Sequence, residues 1–400
     1  MASRSLSVPA VHLGEENHSR RPIVARESTV YGVCTASKEA TIVFVLNTWY
    51  VAAWSTEVTG KPVRRVICEQ PLVLYRTPDG KTVALADRCA HRAYPLSAGR
   101  TVGDSIECGY HGFAYGPDGA CTRVPAQSAV PARARVRSYP VVEKDGWIWV
   151  WTGDADLADR NLVPDTHWMS DPGWATVTHT MLFECRHDLI HDNLLDLTHE
   201  SFLHKSTVGD DYIYEHGITV EVDGRVVTVD RLMPGVEAPP LYARTMSTEG
   251  LYDRFHATEF HVPSYHVLHS GITGRGRPRE EGHLIKVLNG ITPIDEKTTW
   301  YYYAFSRNFA VDADWATKEL ETGLETVLRE DADALREQET GMRERPAGEH
   351  DVLIGQDAGV AKARRILAQL LAKEQAEQAR GTEADRAFKT PRAVADTVRG

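Results

Sequence analysis

The stretch CAHRAYPLSAGRTVGDSIECGYH, residues 89–111, decides how the rest of the sequence is interpreted. It opens with Cys89-x-His91 and closes with Cys108-x2-His111. A cysteine and a histidine separated by one residue cannot lie on adjacent turns of a helix, so the first pair requires a loop. Two short loops folded side by side would gather two thiols and two imidazoles in one place.

This donor set predicts a Rieske [2Fe–2S] cluster, in which thiolates hold one iron and imidazoles hold the other. Structural zinc is the alternative, because two cysteines and two histidines also bind zinc. Zinc sites usually pair Cys with Cys and His with His, whereas each pair here is mixed, so the spacing favours the cluster. Residues that permit tight loops, and so let backbone N–H groups approach the sulfurs, flank the pairs: Pro95, Gly99, Gly109 and Gly112.

A second set of candidate metal ligands lies in NLLDLTHESFLH, residues 193–204. Three-residue spacing predicts that Asn193, Asp196 and His199 share one face of a helix. His204 lies about 140° around an ideal helix from His199, so both can bind one iron only if the helix ends or distorts just before His204. Two histidines and a carboxylate from elsewhere would form the facial triad of a non-heme iron site.

Other histidines offer competing interpretations. His187 and His191 have the i,i+4 spacing of a metal-binding pair, but no acidic third ligand is evident, so a pocket-lining role is favoured. His261, His266 and His269 lie in a strand-like stretch and could line a pocket. Ordinary sheet-face positions are the preferred interpretation for these three.

The hydrophobic pattern predicts an α+β chain. Short apolar stretches, the turn signals TPDG (77–80) and GPDG (116–119), and the strand-like WIWVW (147–151) indicate an all-β block. Helical and alternating strand patterns follow it. The predicted divisions are an N-terminal extension (1–46), the all-β block (47–153), a second body (154–380) and a C-terminal tail (381–400). Within the second body the predicted elements are a helix at 186–204, strands over 212–311, and helices at 313–345 and 359–378. The polar segment at 272–282 is either a lid or a solvated connection, and the connection is the preferred interpretation.

Bulk properties exclude several classes of protein. The chain has 400 residues and a formal net charge of −11, which gives no general attraction to nucleic acid phosphates. No apolar run approaches the length of a membrane span, and the first residues lack a secretory signal, so a cytoplasmic location is expected. Four further cysteines are expected to be ordinary thiols: Cys34, Cys68, Cys121 and Cys185.

Several segments carry a family resemblance: NTWYVAAWSTEV (47–58), VALADRCAHRAYPLSAGR (83–100), CGYHGFAYGPDGAC (108–121), RSYPVVEKDGWIWVWTGD (137–154) and DNLLDLTHESFLHKSTVG (192–209). On these segments the chain resembles the Rieske non-heme iron oxygenases of the vanillate O-demethylase and dicamba monooxygenase type. The resemblance runs from about residue 47 to 375. It implies an all-β Rieske [2Fe–2S] domain followed by a helix-grip catalytic domain, an antiparallel sheet with helices.

The resemblance also implies the metal ligands. They are Cys89, His91, Cys108 and His111 for the cluster, and His199, His204 and Asp331 for a mononuclear Fe(II). The family's aspartate lies in an acidic pair that opens a late helix, which here is Glu330-Asp331. Asp333 is the competing choice for the third iron ligand.

Two further residues receive roles from the resemblance. Asp196 is expected to bridge a Rieske histidine of a neighbouring subunit to an iron histidine, which implies a homotrimer. Asn193 is expected to support the iron ligands from outside the metal's own coordination. A carboxylate that orients a ligating imidazole is sound physical chemistry for such a relay.

The implied activity is that of an oxygenase component that uses O2. Electrons would come from NAD(P)H through a separate reductase or ferredoxin, because the chain lacks a G-x-G-x-x-G fingerprint. The expected reaction is monooxygenation, as hydroxylation or O-demethylation, of an aromatic or other small organic substrate. The alternatives are oxidative tailoring or cyclisation of a natural product, and an electron-transfer Rieske protein without oxygenase activity.

Overall fold

The computed structural model describes residues 43–246 and 250–389, with side chains described as far as residue 380. All of these residues belong to one compact unit that begins at Thr41. The predicted boundary between residues 153 and 154 falls inside this unit and stays a prediction. Most of the predicted N-terminal extension and the end of the predicted tail lie outside the described residues.

The first part of the described chain is built from short antiparallel strands, as predicted. They form three sheets, with the orders β1-β11-β10, β2-β3-β4-β9 and β5-β6-β7-β8. The strands are β1 (Trp49–Trp54), β2 (Val63–Ile67), β3 (Gln70–Arg76), β4 (Thr82–Ala86), β5 (Arg100–Val102), β6 (Ser105–Glu107), β7 (Ala114–Tyr115), β8 (Cys121–Arg123), β9 (Ser138–Tyr139), β10 (Val141–Lys144) and β11 (Trp147–Trp151).

Tight turns join these strands where the sequence places its turn signals. Gly80 and Gly119 have positive φ angles of 89° and 76°, which favour glycine. A Cβ on Gly119 would lie 2.1 Å from the carbonyl oxygen of Val136, so this turn also needs glycine for space. The connections β4–β5 and β6–β7 are the loops that carry the Cys/His pairs.

The second part is a seven-stranded antiparallel sheet with helices, in the strand order β12-β18-β17-β16-β15-β14-β13. The strands are β12 (Ala175–Phe183), β13 (Thr219–Asp223), β14 (Val226–Val236), β15 (Tyr252–His261), β16 (Tyr265–Thr273), β17 (His283–Pro293) and β18 (Thr299–Arg307). The helices are α1 (His187–Leu195), α2 (Glu200–Leu203), α3 (Tyr212–Glu215), α4 (Pro240–Met246), α5 (Asp314–Glu344) and α6 (Ala358–Lys389).

One core joins the sheet to its helices. It includes aromatic side chains of β12 and β18 and the apolar stripe of α5: Phe183, Tyr301, Tyr303, Phe305, Leu320, Leu328 and Leu335. The all-β first part and this helix-gripped sheet together confirm the predicted α+β class. No helix among the described residues is long and apolar enough to cross a membrane.

A second core lies between the two parts. The tryptophans of β1 and β11 pack against the outer face of the large sheet, with Tyr265, Leu288 and Tyr302. The Tyr302 hydroxyl donates to the Ala52 carbonyl at 2.9 Å, and Thr292 Oγ1 donates to the Val51 carbonyl at 2.8 Å. These contacts join the first part of the chain directly to the large sheet.

The helix predicted at 186–204 is not continuous. Helix α1 ends at Leu195, and Asp196 has extended backbone angles, φ −117° and ψ 90°. A short 3-10 turn, Leu197–His199, and helix α2 follow. The expectation that Asn193, Asp196 and His199 share one helix face is therefore wrong. The expected end just before His204 is confirmed, because α2 ends at Leu203.

The polar connection at 272–282 is a hairpin link between β16 and β17. It is held to the sheet at two points. The Arg279 guanidinium donates to Asp230 at 2.9 Å, and the Gly276 N–H donates to Asp253 at 2.7 Å. These contacts agree with the preferred interpretation of the segment as a connection.

Candidate metal centres and pocket

The two cluster loops have the same backbone design. In each loop the cysteine N–H donates to the carbonyl five residues later, and the cysteine carbonyl accepts from the N–H four residues later, at 2.8–3.0 Å. The fourth residue after each cysteine has a left-handed backbone, with φ of 55° at Ala93 and 70° at Gly112. The two cysteines therefore open equivalent backbone turns, although His91 follows its cysteine by two residues and His111 by three.

The four side chains of these loops separate into an inner and an outer pair. The Cys89 and Cys108 thiols are buried, whereas His91 and His111 are exposed, with ring centroids 4.6 Å apart. The Tyr115 hydroxyl lies 3.1 Å from the Cys89 sulfur. Burial raises the pKa of the Cys108 thiol, so a pair of thiolates here needs a cationic partner such as iron.

This arrangement fits an extended cluster better than a single zinc ion. A zinc ion would draw four donor atoms onto one centre. Among the described residues, only His199, His204 and Asp331 bring three donor atoms within 4.8 Å of one another. The donors of the two loops are spread more widely, with sulfur inside and imidazole outside, as a two-iron cluster requires.

The second candidate site is compact and buried. The Nε2 atom of His204 lies 3.1 Å from Asp331 Oδ1, and the Nε2 atom of His199 lies 3.5 Å from the same oxygen. The His204 side chain is 1% exposed, and the Asp331 side chain 10%. Two imidazole nitrogens and a carboxylate oxygen thus meet around one point, as a facial triad would.

Hydrogen bonds on the far side of each imidazole fix its orientation. His199 Nδ1 lies 2.7 Å from the Asp196 carbonyl oxygen, and His204 Nδ1 lies 2.7 Å from Glu330 Oε2. Since both partners are acceptors, each Nδ1 carries a proton and each Nε2 can present its lone pair to a metal.

Without a metal the site must balance its own charge. Burial alone would lower the pKa of His204, but hydrogen bonds to Asp331 and Glu330 outweigh it and raise the pKa to about 9. A bound divalent cation would replace that proton between the same groups. The donor set therefore fits the iron that the sequence predicts.

The geometry of α5 distinguishes Asp331 from Asp333. Asp331 lies on the buried face of this helix, together with Leu328 and Leu335. Asp333 is two positions away, about 200° around the helix, and its side chain is 67% exposed and bonded to Arg336. The acidic pair lies in the middle of the helix, so the expectation that it opens the helix is wrong.

Asn193 and Asp196 both contact the candidate ligands. Asn193 Nδ2 donates to Asp331 Oδ1 at 3.1 Å and lies 3.4 Å from His199 Nε2. Asp196 contacts His199 through its backbone carbonyl, while its carboxylate accepts from the N–H and hydroxyl of Thr198. The Asp196 side chain lies in a groove beside His199, separate from the pocket described next.

A cavity of about 100 Å³, partly open to solvent, adjoins the three candidate iron ligands. Its walls come from the large sheet and from α4 and α5, and most of them are apolar or aromatic: Leu194, Leu197, Val208, Leu241, Tyr242, Leu268, Ile285, Val287, Tyr301, Tyr303, Phe305, Leu324, Val327 and Leu328. Polar groups of Glu200, His256, Ser270 and Asn289 interrupt this lining. Such a lining suits a small, mainly apolar molecule that also offers a few polar groups.

The histidines that competed for a role lie elsewhere. His191 is buried against His266, 2.9 Å between ring nitrogens, and neither lines this pocket. His187 lines a different groove, so the favoured pocket-lining role fits His187 there, but neither His187 nor His191 lines the pocket beside the candidate iron ligands. His261 and His269 flank Glu259 at 3.4 and 3.3 Å, as ordinary sheet-face residues.

Two side chains of the site and its pocket are not predicted from the sequence. Glu330 was recognised only as the neighbour of Asp331, although it bonds to His204. His256 gave no signal, because a single histidine in an alternating strand is indistinguishable from any other buried position. A carboxylate directly beside a predicted ligand could have suggested the first, since ligating histidines usually bond an acceptor.

Comparison with known proteins places this architecture in a family. Residues 48–140 match the Rieske [2Fe-2S] domain, and residues 183–373 match the vanillate O-demethylase oxygenase C-terminal domain. The vanillate O-demethylase oxygenase subunit of Pseudomonas sp. (strain HR199) is 36% identical over 344 residues, which cover 83% of this chain and 96% of the relative.

Two further relatives agree. The toluene-4-sulfonate monooxygenase system iron-sulfur subunit TsaM1 of Comamonas testosteroni is 32% identical over 83% of this chain and 98% of its own length. The crystal structure of dicamba monooxygenase bound to 3,6-dichlorosalicylic acid superposes with a TM-score of 0.80, at 31% identity, over 83% of this chain and 98% of that one. The chain belongs to the Rieske non-heme iron oxygenases, as an oxygenase component of the vanillate O-demethylase group with a [2Fe–2S] cluster and a non-heme iron as its cofactors.

Proposed function

We propose that this oxygenase component monooxygenates a small aromatic acid or ether, by O-demethylation or hydroxylation, in the pocket beside His199, His204 and Asp331. The observation that carries the proposal is the convergence of these three donors at the edge of an aromatic-lined pocket. We assign the cluster to the two loops, with ligands Cys89, His91, Cys108 and His111.

His199, His204 and Asp331 would hold an iron that could bind and activate O2, and the Cys/His loops would hold a cluster that could supply electrons singly. The protein positions the reacting groups and keeps water away from them. Asp196 and Glu330 hold the protons on the two Nδ1 atoms, so the imidazoles keep a fixed orientation. The apolar walls limit the access of water to the substrate.

We also propose a homotrimer, in which the cluster of one copy docks beside the iron site of the next. The groove next to His199 supports this. It is lined by Asp196 and by Val352 and Leu353, whose exposures are 89% and 49%. An apolar rim around a carboxylate that neighbours an iron ligand suits contact with a second copy.

A separate electron donor completes the proposal. The relatives are oxygenase subunits or components of larger systems. An NAD(P)H-dependent reductase or ferredoxin in the cytoplasm, where NAD(P)H is plentiful, would supply this chain. No observation favours oxidative cyclisation, and a protein limited to electron transfer would not need the second ligand set and its pocket.

Reconstitution with a reductase, NADH, O2 and vanillate tests the reaction. O-demethylation predicts one formaldehyde and one demethylated product for each O2 and each NADH consumed, because the hemiacetal left by oxygen insertion collapses. The His204→Ala variant is the control and should form neither product. Fully metal-loaded protein that consumes no O2 with vanillate or with other aromatic acids and ethers would contradict the proposed function.

A further inference from the structure

His256 is a polar residue of the pocket wall with an unusual environment. It lies on β15, directly opposite Ser270 of β16, and is 3% exposed. It lines the same pocket as His199 and Asp331, and it contacts none of the candidate metal ligands. Its position makes it a group that a pocket-bound molecule would meet.

A hydrogen bond determines the tautomer of His256. The Arg254 guanidinium donates from Nη2 to the ring Nε2 at 3.1 Å. Arginine has no acceptor, so Nε2 must accept, and the proton of a neutral imidazole then lies on Nδ1. Burial, followed by the positive charges of Arg254 and Arg231, lowers the pKa of His256, which keeps the ring neutral.

Nδ1 is a buried donor without a partner. Among the described residues no acceptor lies within hydrogen-bond distance of it. Neighbouring polar groups of the pocket do have partners: the Tyr242 hydroxyl bonds Ser270 at 2.7 Å, and the Tyr301 hydroxyl donates to Asn289 at 3.1 Å. Because unpaired buried donors are costly, this one indicates a place for an acceptor on the ligand.

The charge around the ring indicates which acceptor fits. The charged groups that lower the pKa of His256 are Arg254 and Arg231, both cations, and the carboxylate of Glu200 lies in the same pocket wall. Arg254 is held in place by Asp210, the Val208 carbonyl at 2.9 Å and Glu200 at 3.5 Å. Its donation to Nε2 polarises the imidazole and strengthens Nδ1–H as a donor. No lysine or arginine of the described residues lines the pocket itself.

We propose that His256 selects the substrate by donating from Nδ1 to an anionic oxygen, a carboxylate or sulfonate, of an aromatic acid. The inference rests on the proposed function and names the substrate class of that site. His256 contacts none of the candidate metal ligands, so its role is in substrate binding and specificity.

Anaerobic titration calorimetry of the metal-loaded enzyme tests the proposal with two probes. Vanillate carries a carboxylate, and guaiacol is the same ring with its hydroxyl and methoxy groups but no carboxylate. His256→Leu should weaken vanillate binding by about tenfold or more, as expected for a lost bond to a charged group, and change guaiacol binding less than about twofold.

Three further variants sharpen the result. His256→Asn keeps an N–H near the Nδ1 position and should recover most of the vanillate affinity. His256→Gln places its amide toward Nε2 and should not, and it replaces the leucine variant if that one fails to fold. His266→Leu removes a buried histidine of the same sheet that lies outside the pocket, and it should leave both affinities unchanged.

Equal losses for vanillate and guaiacol in His256→Leu would overturn the inference, as would unchanged vanillate affinity. Wild-type enzyme that binds guaiacol but neither vanillate nor toluene-4-sulfonate would overturn it too. Such a result would leave the proposed function standing, because that function is tested separately by O2-dependent turnover.

Discussion

The two candidate metal centres are built in opposite ways. The cluster loops are short and close in sequence, and each repeats the same backbone turn after its cysteine. The iron site joins a broken helix to the middle of α5, and His204 and Asp331 are 127 positions apart. The first centre depends on local turns, whereas the second exists only when a long helix packs on the sheet.

The two candidate centres also differ in how far their side chains are exposed to solvent. The histidines of the loops lie at the surface, where electrons can pass to or from another protein. His204 and Asp331 are buried beside an apolar pocket, where water is limited. Two redox centres in one chain thus occupy environments suited to different steps.

Replacing one thiol of the loops should have the largest effect, because it should remove the cluster and leave the mononuclear iron in place. Cys108→Ser should abolish the visible absorption of the cluster and lower turnover at least about 1000-fold, since no second candidate electron carrier lies among the described residues. The mononuclear iron should stay bound, because its ligands come from a different part of the fold. Cys121→Ser is the control: that thiol is buried in the same half and donates to the Arg123 carbonyl at 3.3 Å. A visible cluster in Cys108→Ser would contradict the assignment.

Replacing each of two aspartates of α5 by alanine tests the mononuclear iron site. Asp331→Ala should remove the mononuclear iron and lower turnover by more than about 100-fold, while the cluster spectrum persists. Asp333→Ala should keep metal content and turnover close to wild type, because its side chain faces solvent and Arg336. Metal analysis and O2 uptake measure both. If Asp333→Ala lost the iron instead, the choice of ligand would be wrong.

Asp196 tests the communication between centres. Asp196→Asn should leave both metal sites loaded and lower turnover by about 10- to 100-fold, since this residue adjoins His199 in the groove proposed for a second copy. Metal content, cluster reduction by the reductase and steady-state rate are the readouts. Undiminished turnover would refute the relay.

The smallest expected effect is a change in stability when the equivalent turns of the two loops are altered. Gly112→Ala adds a Cβ 2.9 Å from Pro125 Cγ at a φ of 70°, so the free energy of unfolding should fall by about 1–2 kcal/mol. Ala93→Gly removes the same left-handed cost in the first loop and should be within about 0.5 kcal/mol of wild type. Urea unfolding measures both. A larger loss for Ala93→Gly would show that the two turns are not equivalent.

How far the sequence predicts each centre follows from this contrast. The cluster ligands are predictable from spacing, because four residues in two short loops carry the whole pattern. Hairpin turns at Gly80 and Gly119 are also local, and the structure confirms them. The amphipathic pattern of α5 likewise predicts its length, because its apolar positions recur on one face.

The iron site is harder to predict from the sequence, because tertiary packing determines it. Helical spacing could not show that the backbone extends at Asp196, where that residue's own carboxylate caps the following turn through Thr198. Nor could it show that Glu330 bonds His204, or that His256 faces the pocket, since both depend on how strands and helix meet. Asp331 was predicted only through the family resemblance.

Iron and acid-labile sulfide per chain test the central claim, that one chain holds two independent metal centres, most directly. Wild-type protein should contain about three iron atoms and two sulfides per chain, and His204→Ala about two of each, with an unchanged cluster spectrum. Iron content that is the same in wild type and His204→Ala, or a cluster lost together with the mononuclear iron, would contradict it.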